Sequence, residues 1–318
     1  MALRTSRLVL LLLYPIIAAA QAAQSNPIAK TDSTAPYTLP VTVNEVNLTF
    51  SAVDEDGRSI DDLQLSDLRL LDNGKKPARI LDFQHRTNRQ IRAGILIDTS
   101  GSIGRSLHRN QQIASDFSTH ILRLNSDQAF VMRFDFESLV KQDWTSNSDA
   151  LASSIDAIAF DSASRLGGTA LFDALYIACR DKFIHTPPSP TGQSNFIMLF
   201  SDGIDNFSHA RMQDVIDICQ QTHTAIYIFS DEPRPSHEPG QLVLQDLSQK
   251  SGGRIFYDHG DKDQLIDLRL IEQDLRNDYT LVYKPAKLRG DGGFHHIKLD
   301  CPYKAAILTT RSGYYSHR

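Results

Sequence analysis

The feature that most constrains this chain is a change of hydrophobic period along its length. Between Arg92 and Asp278, short continuous apolar runs alternate with segments whose apolar residues recur at helical spacing. That pattern predicts a doubly wound, mostly parallel α/β sheet covered on both faces. Residues 93–97 read as a buried strand, and 106–124 as a helix with Ile113, Ala114, Phe117, Ile121 and Leu124 on one face. Strands follow at 128–136 and, at the edge, 138–143; helices are expected at 148–159 and 170–183. Residues 196–200 and 225–229 read as strands joined by a helix at 211–221. A helix at 241–250 is stopped by Gly252 and Gly253, and a last strand at 254–257 leads to a helix at 261–277. There Leu265, Leu268 and Leu275 are expected to share a face.

On either side of this unit the period is two. Val46, Leu48, Phe50 and Ala52 alternate with Asn47, Thr49 and Ser51, the pattern of a half-buried strand. Strands at 67–71 and 77–84 flank the turn Asp72-Asn73-Gly74, and strands at 279–283, 295–299 and 305–310 follow the α/β unit. Each flank alone offers a marginal sheet, so both are assigned to one small β module. The first residues differ in kind. Arg4 and Arg7 precede an apolar run at 8–20, and Ala20-Gln21-Ala22 supplies a small-residue cleavage pattern. The run is shorter than the ~20 residues a spanning helix needs, so an exported protein with no stable membrane span in its mature chain is expected. The layout is then a signal peptide at 1–22, a leader at 23–40, the first part of the β module at 41–88, the α/β domain at 89–278 and a completing β segment at 279–318.

The residues with the most chemical content lie at strand ends. In ILIDTSGSI, a hydrophobic strand delivers Asp98 into a turn holding Ser100 and Ser102. In an open α/β sheet the ligand crevice lies outside the carboxyl ends of the strands, where this turn falls. Gly167-Gly168-Thr169 opens a helix and Ser201-Asp202-Gly203 closes a strand at the same end. Singly, each is turn or helix-cap chemistry. Together they converge hydroxyls and carboxylates without His or thiolate, a donor set for a hard divalent cation: magnesium first, with manganese or calcium as alternatives.

ILIDTSGSI, GGTALFDAL and IMLFSDG resemble the three loops of the metal-ion-dependent adhesion site of von Willebrand factor A domains, as in integrin inserted domains. The resemblance covers residues 91–278. It implies a Rossmann-like fold in which Ser100, Ser102 and Thr169 coordinate the ion while Asp98 and Asp202 hold ordered waters around it. It also implies a protein partner that presents an acidic side chain to the ion. The flanks, with DEDGRSIDDLQLSDLRLLDNGKKPARILDF, SGGRIFYD and RSGYY, resemble a bacterial subgroup of exported von Willebrand factor A-related proteins. That implies a periplasmic or extracellular location. The alternative reading is a structural or assembly subunit of a cell-envelope complex, with a stabilising or vestigial metal site.

Other functions lose their supports. With 33 Lys and Arg against 38 Asp and Glu, the net charge of −5 provides no basic field for nucleic acid. There is no G-x-S-x-G elbow, P-loop, G-x-G-x-x-G or H-E-x-x-H, so no enzymatic activity is expected. Ile97-Asp98-Thr99 superficially matches an aspartic-protease loop but lacks its glycine, with Ser100 in that place, and a second such loop. His295 and His296 lie in a strand and point to opposite faces, which separates them as metal ligands. Asp54, Glu55 and Asp56 lack calcium-loop spacing and read as a solvated turn. The acceptor-type triplets at Asn47 and Asn206 are expected to be silent in a bacterial protein, and the prolines at 186–190 and 232–239 to stiffen surface loops. With three cysteines, Cys179, Cys219 and Cys301, one internal disulfide at most can form. Cys179 and Cys219 lie on helices beside the sheet and can bridge, but Cys179 also continues the apolar face of Leu171 and Leu175, so a buried free thiol accounts for it as well.

Overall fold

A computed structural model describes residues 45–160, 168–184, 192–258, 264–287, 290–302 and 304–316. The expected signal peptide and leader, Gly167, the prolines at 186–190 and the expected helix start at 261–263 lie outside the described residues.

Strand β4 (Gln90–Asp98) organises the chain. Ile91 through Asp98 are all buried, because β4 pairs in parallel with a neighbour on each side. These are β5 (Gln128–Phe134) and β7 (Gln193–Phe200). Outward from β5 comes the antiparallel edge strand β6 (Ser138–Thr145); outward from β7 come the parallel strands β8 (Thr224–Phe229) and β9 (Ile255–Phe256). The order β6-β5-β4-β7-β8-β9 reverses direction at β4, and such a switch point opens a crevice at the carboxyl ends of β4 and β7.

Alternation along β4 and β7 divides the core. Ile95, Ile97, Met198 and Phe200 face helices α1 (Leu107–His120), α2 (Ser148–Asp156) and α6 (Gln264–Arg276). Leu96, Ile197 and Leu199 face α3 (Leu171–Ile177), α4 (Met212–Gln221) and α5 (Pro239–Ser251). Two leucines depart from expectation. The first helix closes at His120, because Asn125 takes a left-handed φ of +64° and the Asp127 carboxylate accepts the Arg123 N–H at 2.7 Å. Leu124, inside that turn, is 70% exposed. In α6 the buried stripe runs through Gln264, Leu268, Ile271 and Leu275, leaving Leu265 on the solvent side, 52% exposed. A buried bidentate pair fastens this helix to the sheet: Arg276 donates to both oxygens of Asp127, at 2.9 and 2.5 Å, and also to the Arg89 and Ile121 carbonyls.

The flanks assemble into two antiparallel sheets, each built from both ends of the chain. One has the order β12-β1-β10-β3, with β1 (Val46–Val53) and β3 (Arg79–Arg86) from before the α/β unit and β10 (Asp278–Lys284) and β12 (Ile307–Thr310) from after it. The other has the order β13-β11-β2, formed by Gly313–Tyr315, Phe294–Asp300 and Arg69–Asp72. Leu48, Phe50, Tyr279, Leu281 and Tyr283 make their shared core. His295 packs inward against Asp72 and Tyr314 while His296 is exposed.

The open question about the cysteines is resolved in favour of a bridge. Helix α3 widens into a π-helical turn at Ala178–Phe183, which brings Cys179 against Cys219 of α4 in a disulfide closing 40 residues of chain. Both cysteines are fully buried, within the apolar cluster that includes Leu171 and Leu175. Thiol titration of the unfolded protein should therefore find one free thiol, Cys301. Cys219→Ser should lose roughly 2–4 kcal/mol in denaturant unfolding; three free thiols, or an unchanged midpoint, would exclude the bridge.

Candidate metal site

Three loops meet at the carboxyl edge of β4 and β7. The first is set by β4, which ends with Asp98 fully buried. One Asp98 oxygen accepts the Ser100 N–H at 2.9 Å and the other accepts the Ser201 hydroxyl at 2.8 Å. The loop is braced sideways by Thr99, whose N–H and hydroxyl both donate to the Phe134 carbonyl of β5. The Ser100 and Ser102 hydroxyls lie 3.3 Å apart, with Ser100 buried and Ser102 exposed.

The second loop carries Thr169, and it is held by the third. Thr169 N–H donates to the Asn206 side-chain oxygen at 2.7 Å, and the Thr169 carbonyl accepts the N–H groups of Asn206 and Phe207. Asp205 accepts from Phe172 N–H and the Ser208 hydroxyl, and Asp173 accepts the N–H groups of His209 and Ala210. Burial acts to raise the Asp173 carboxyl, but the Ala210 and His209 bonds outweigh it and hold the group below its ordinary range. Gly168 has to be glycine here, since a Cβ would stand 2.4 Å from the Asn206 side-chain oxygen.

The third loop turns at Gly203, with φ +81°, where a Cβ would fall 2.2 Å from the Gly240 carbonyl at the start of α5. The Ser201 hydroxyl accepts the Gly203 N–H, and Asp202 accepts that of Ile204 at 3.0 Å. The fold thus brings Asp98, Ser100, Ser102, Thr169 and Asp202 to one edge of the sheet. Asp205, Asn206, Ser208 and Asp173, which the motif reading did not assign to the site, lock the loops together with Ser201. For Asp205, Asn206 and Ser208 the signal was present as DGIDNFSHA, a dense run of turn-forming side chains.

The electrostatics favour a cation. Burial pushes the Asp98 carboxyl up to about 7, against the bonds from Ser100 and Ser201, and nearby Asp202 adds to the rise. No Lys or Arg offsets this among the described residues, so two acidic groups face one another without a positive partner. Among the described residues no group of His, Cys, Asp and Glu side chains alone could hold a metal. The donor set is instead mixed hydroxyl and carboxylate oxygen, which fits a hard divalent ion.

Residues 94–204 match the von Willebrand factor type A domain family model. The chain therefore contains a domain of the von Willebrand factor A family. Comparison with curated protein sequences gave no match. Similar solved structures include the conserved hypothetical protein BatB from Bacteroides thetaiotaomicron, with 15% identity over 57% of this chain and 98% of that one, TM-score 0.46. A von Willebrand factor type A protein from Catenulispora acidiphila has 12% identity over 74% and 72%, TM-score 0.45. Proximal thread matrix protein 1 from the mussel byssus, with a zinc-occupied MIDAS motif, has 15% identity over 64% of this chain and 50% of that one, TM-score 0.47.

Gly203→Ala tests the loop geometry. The left-handed conformation alone costs roughly 1–2 kcal/mol in an L-residue, and the clash with Gly240 adds to it. The variant should melt well below the wild-type protein. Equal melting temperatures would mean that the third loop does not take this shape.

Proposed function

We propose that this protein is an exported, non-enzymatic binding module in which a divalent cation at the three loops recruits an acidic side chain of a protein partner. Ser100, Ser102 and Thr169 would hold the ion directly, and Asp98 and Asp202 through water. The observation that carries the reading is the Asp98 carboxylate, fully buried near Asp202 with no Lys or Arg among the described residues to balance it. The chemistry supplied by the ion is Lewis acidity toward an incoming carboxylate. Because its direct ligands would be neutral hydroxyls, much of its charge would stay available to the partner.

The surroundings suit such a partner. Phe207 and Ile204, on the third loop, are 51% and 42% exposed, and Phe207 packs edge-on to Phe136. A partner carboxylate seated over the loops would meet an apolar rim, which excludes water from a charged contact. Export is supported by the basic and apolar N-terminal segment and by the Cys179–Cys219 bridge, which suits an oxidising compartment. Among the described residues no helix is long and apolar enough to cross a membrane.

The test pairs metal titration with partner capture. In calorimetry, Asp98→Ala and Asp202→Ala should weaken magnesium or manganese binding by ~10 to 100-fold while the domain stays folded. Thr169→Ala should hurt partner affinity more than metal affinity. Partners captured from cell-envelope or culture fractions in magnesium should be released by chelator. Capture that persists in chelator, or is unchanged in Asp98→Ala, sinks the proposal and leaves a scaffold.

A further inference from the structure

At the opposite edge of the six-stranded sheet, the amino ends of β7 and β8 face the flanking strands. The sheet of β12, β1, β10 and β3 folds beneath them, and a polar cavity of about 260 Å³ separates the two. Its wall includes Arg86, Arg89, His223 and Arg311, with Asp274 and Asp278 as the acidic side chains. Asp274 is already committed: Arg254 donates to both of its oxygens, at 2.7 and 3.2 Å, and the Ser51 hydroxyl also donates to it. That leaves the Asp278 carboxylate to face Arg89, which donates to it, and Arg86, with Arg311 on the wall of the same cavity.

The guanidiniums are gathered without being satisfied. Arg89 donates to Asp278 and to the Gln193 carbonyl, yet its Nε–H is buried with no partner. Arg311 donates to the Asn47 carbonyl at 2.7 Å, and its Nε–H too is buried with no partner. Arg86 and Arg89 converge at Gly192, lying 3.7 and 3.5 Å from where a Cβ would stand on it. No carboxylate pairs with Arg86 or Arg311 among the described residues. Burial holds the Arg89 and Arg311 guanidiniums below their ordinary range, and burial together with these arginines does the same to the His223 imidazole. So much like charge gathered out of water is expensive unless an anion joins it.

The wall also offers acceptors. One oxygen of Asp278 and the side-chain oxygen of Asn195 are buried with no donor. A fully deprotonated oxyanion would be repelled by Asp278, whereas one that keeps a proton can donate it there and accept from the arginines. We propose that this cavity binds a singly protonated phosphate group, with Arg86, Arg89 and Arg311 donating to its oxygens and Asp278 accepting its O–H. The volume suits inorganic phosphate or the head of a small phosphomonoester. Binding there would tie the flanking sheet to the α/β domain. The inference is independent of the metal site, since it lies at the other edge of the sheet.

The test is calorimetry on metal-depleted full-length protein, so that phosphate does not report on the cation loops, with inorganic phosphate, glycerol phosphate and sulfate at matched ionic strength. Inorganic phosphate should bind saturably and raise the melting temperature; sulfate should bind much more weakly. Stronger binding of glycerol phosphate would assign the site to a phosphomonoester, and stronger binding of inorganic phosphate to the free ion. Arg86→Gln removes a side chain that holds no structural hydrogen bond in the described residues and should weaken binding by about tenfold or more. Arg311→Gln should do the same, although its bond to Asn47 also supports β1. No saturable binding of either phosphate, sulfate binding as tight as phosphate, or an Arg86→Gln variant that binds like wild type would overturn the proposal.

Discussion

Burial of the Asp98 carboxylate is the constraint to which the rest of the structure answers. A strand buried on both faces, with parallel neighbours on both sides, carries an acidic side chain to its carboxyl end and leaves it without solvent. Two hydrogen bonds, from Ser100 N–H and the Ser201 hydroxyl, fix its direction but do not neutralise it. At Asp127 and Asp274 the chain answers a buried carboxylate with a guanidinium, from Arg276 and Arg254, and at Asp72 with the Tyr283 and Tyr314 hydroxyls and His295. Among the described residues Asp98 has the Ser100 N–H, the Ser201 hydroxyl and a second carboxylate, Asp202, near it, and no Lys or Arg. That contrast within one chain marks the three loops as built for something the protein does not itself supply.

The two edges of the central sheet carry opposite imbalances. Among the described residues, the acidic groups at the carboxyl edge lack a cation, and at the amino edge arginines outnumber the carboxylate that faces them. The net charge of −5 conceals both, because each imbalance is local and arises from the topology. The flanking sheets matter to the second. β1 and β3 are brought to β10 and β12 from roughly two hundred residues away or more in the chain, and that pairing sets Arg311 on the wall of the cavity that Arg86 and Arg89 line.

Much of this was legible in the sequence, for a physical reason. Continuous apolar strands such as those around Ile95 and Ile197 declare a sheet buried on both faces, and D-x-S-x-S at the end of one declares a loop at the switch point. The helix phases were legible where the buried stripe is apolar. They failed at Leu265, because the inward positions of α6 include polar Gln264 and Asp274. Asp274 is inward because Arg254, Ser51 and Tyr227 wait for it there, and partners so distant in sequence leave no periodicity to read. The same holds for Asn206, whose side chain positions Thr169 across 37 residues. The disulfide depended on the π-helical turn that carries Cys179 toward α4, and no local pattern announces that turn.

The account rests on a cation held by these loops, and diffraction can see one directly. An anomalous difference map from crystals soaked in manganese should show a peak bounded by the hydroxyls of Ser100, Ser102 and Thr169, with Asp98 and Asp202 within reach of its bound waters. No peak there at saturating manganese, or a peak at another cluster of carboxylates with these loops left empty, would contradict it.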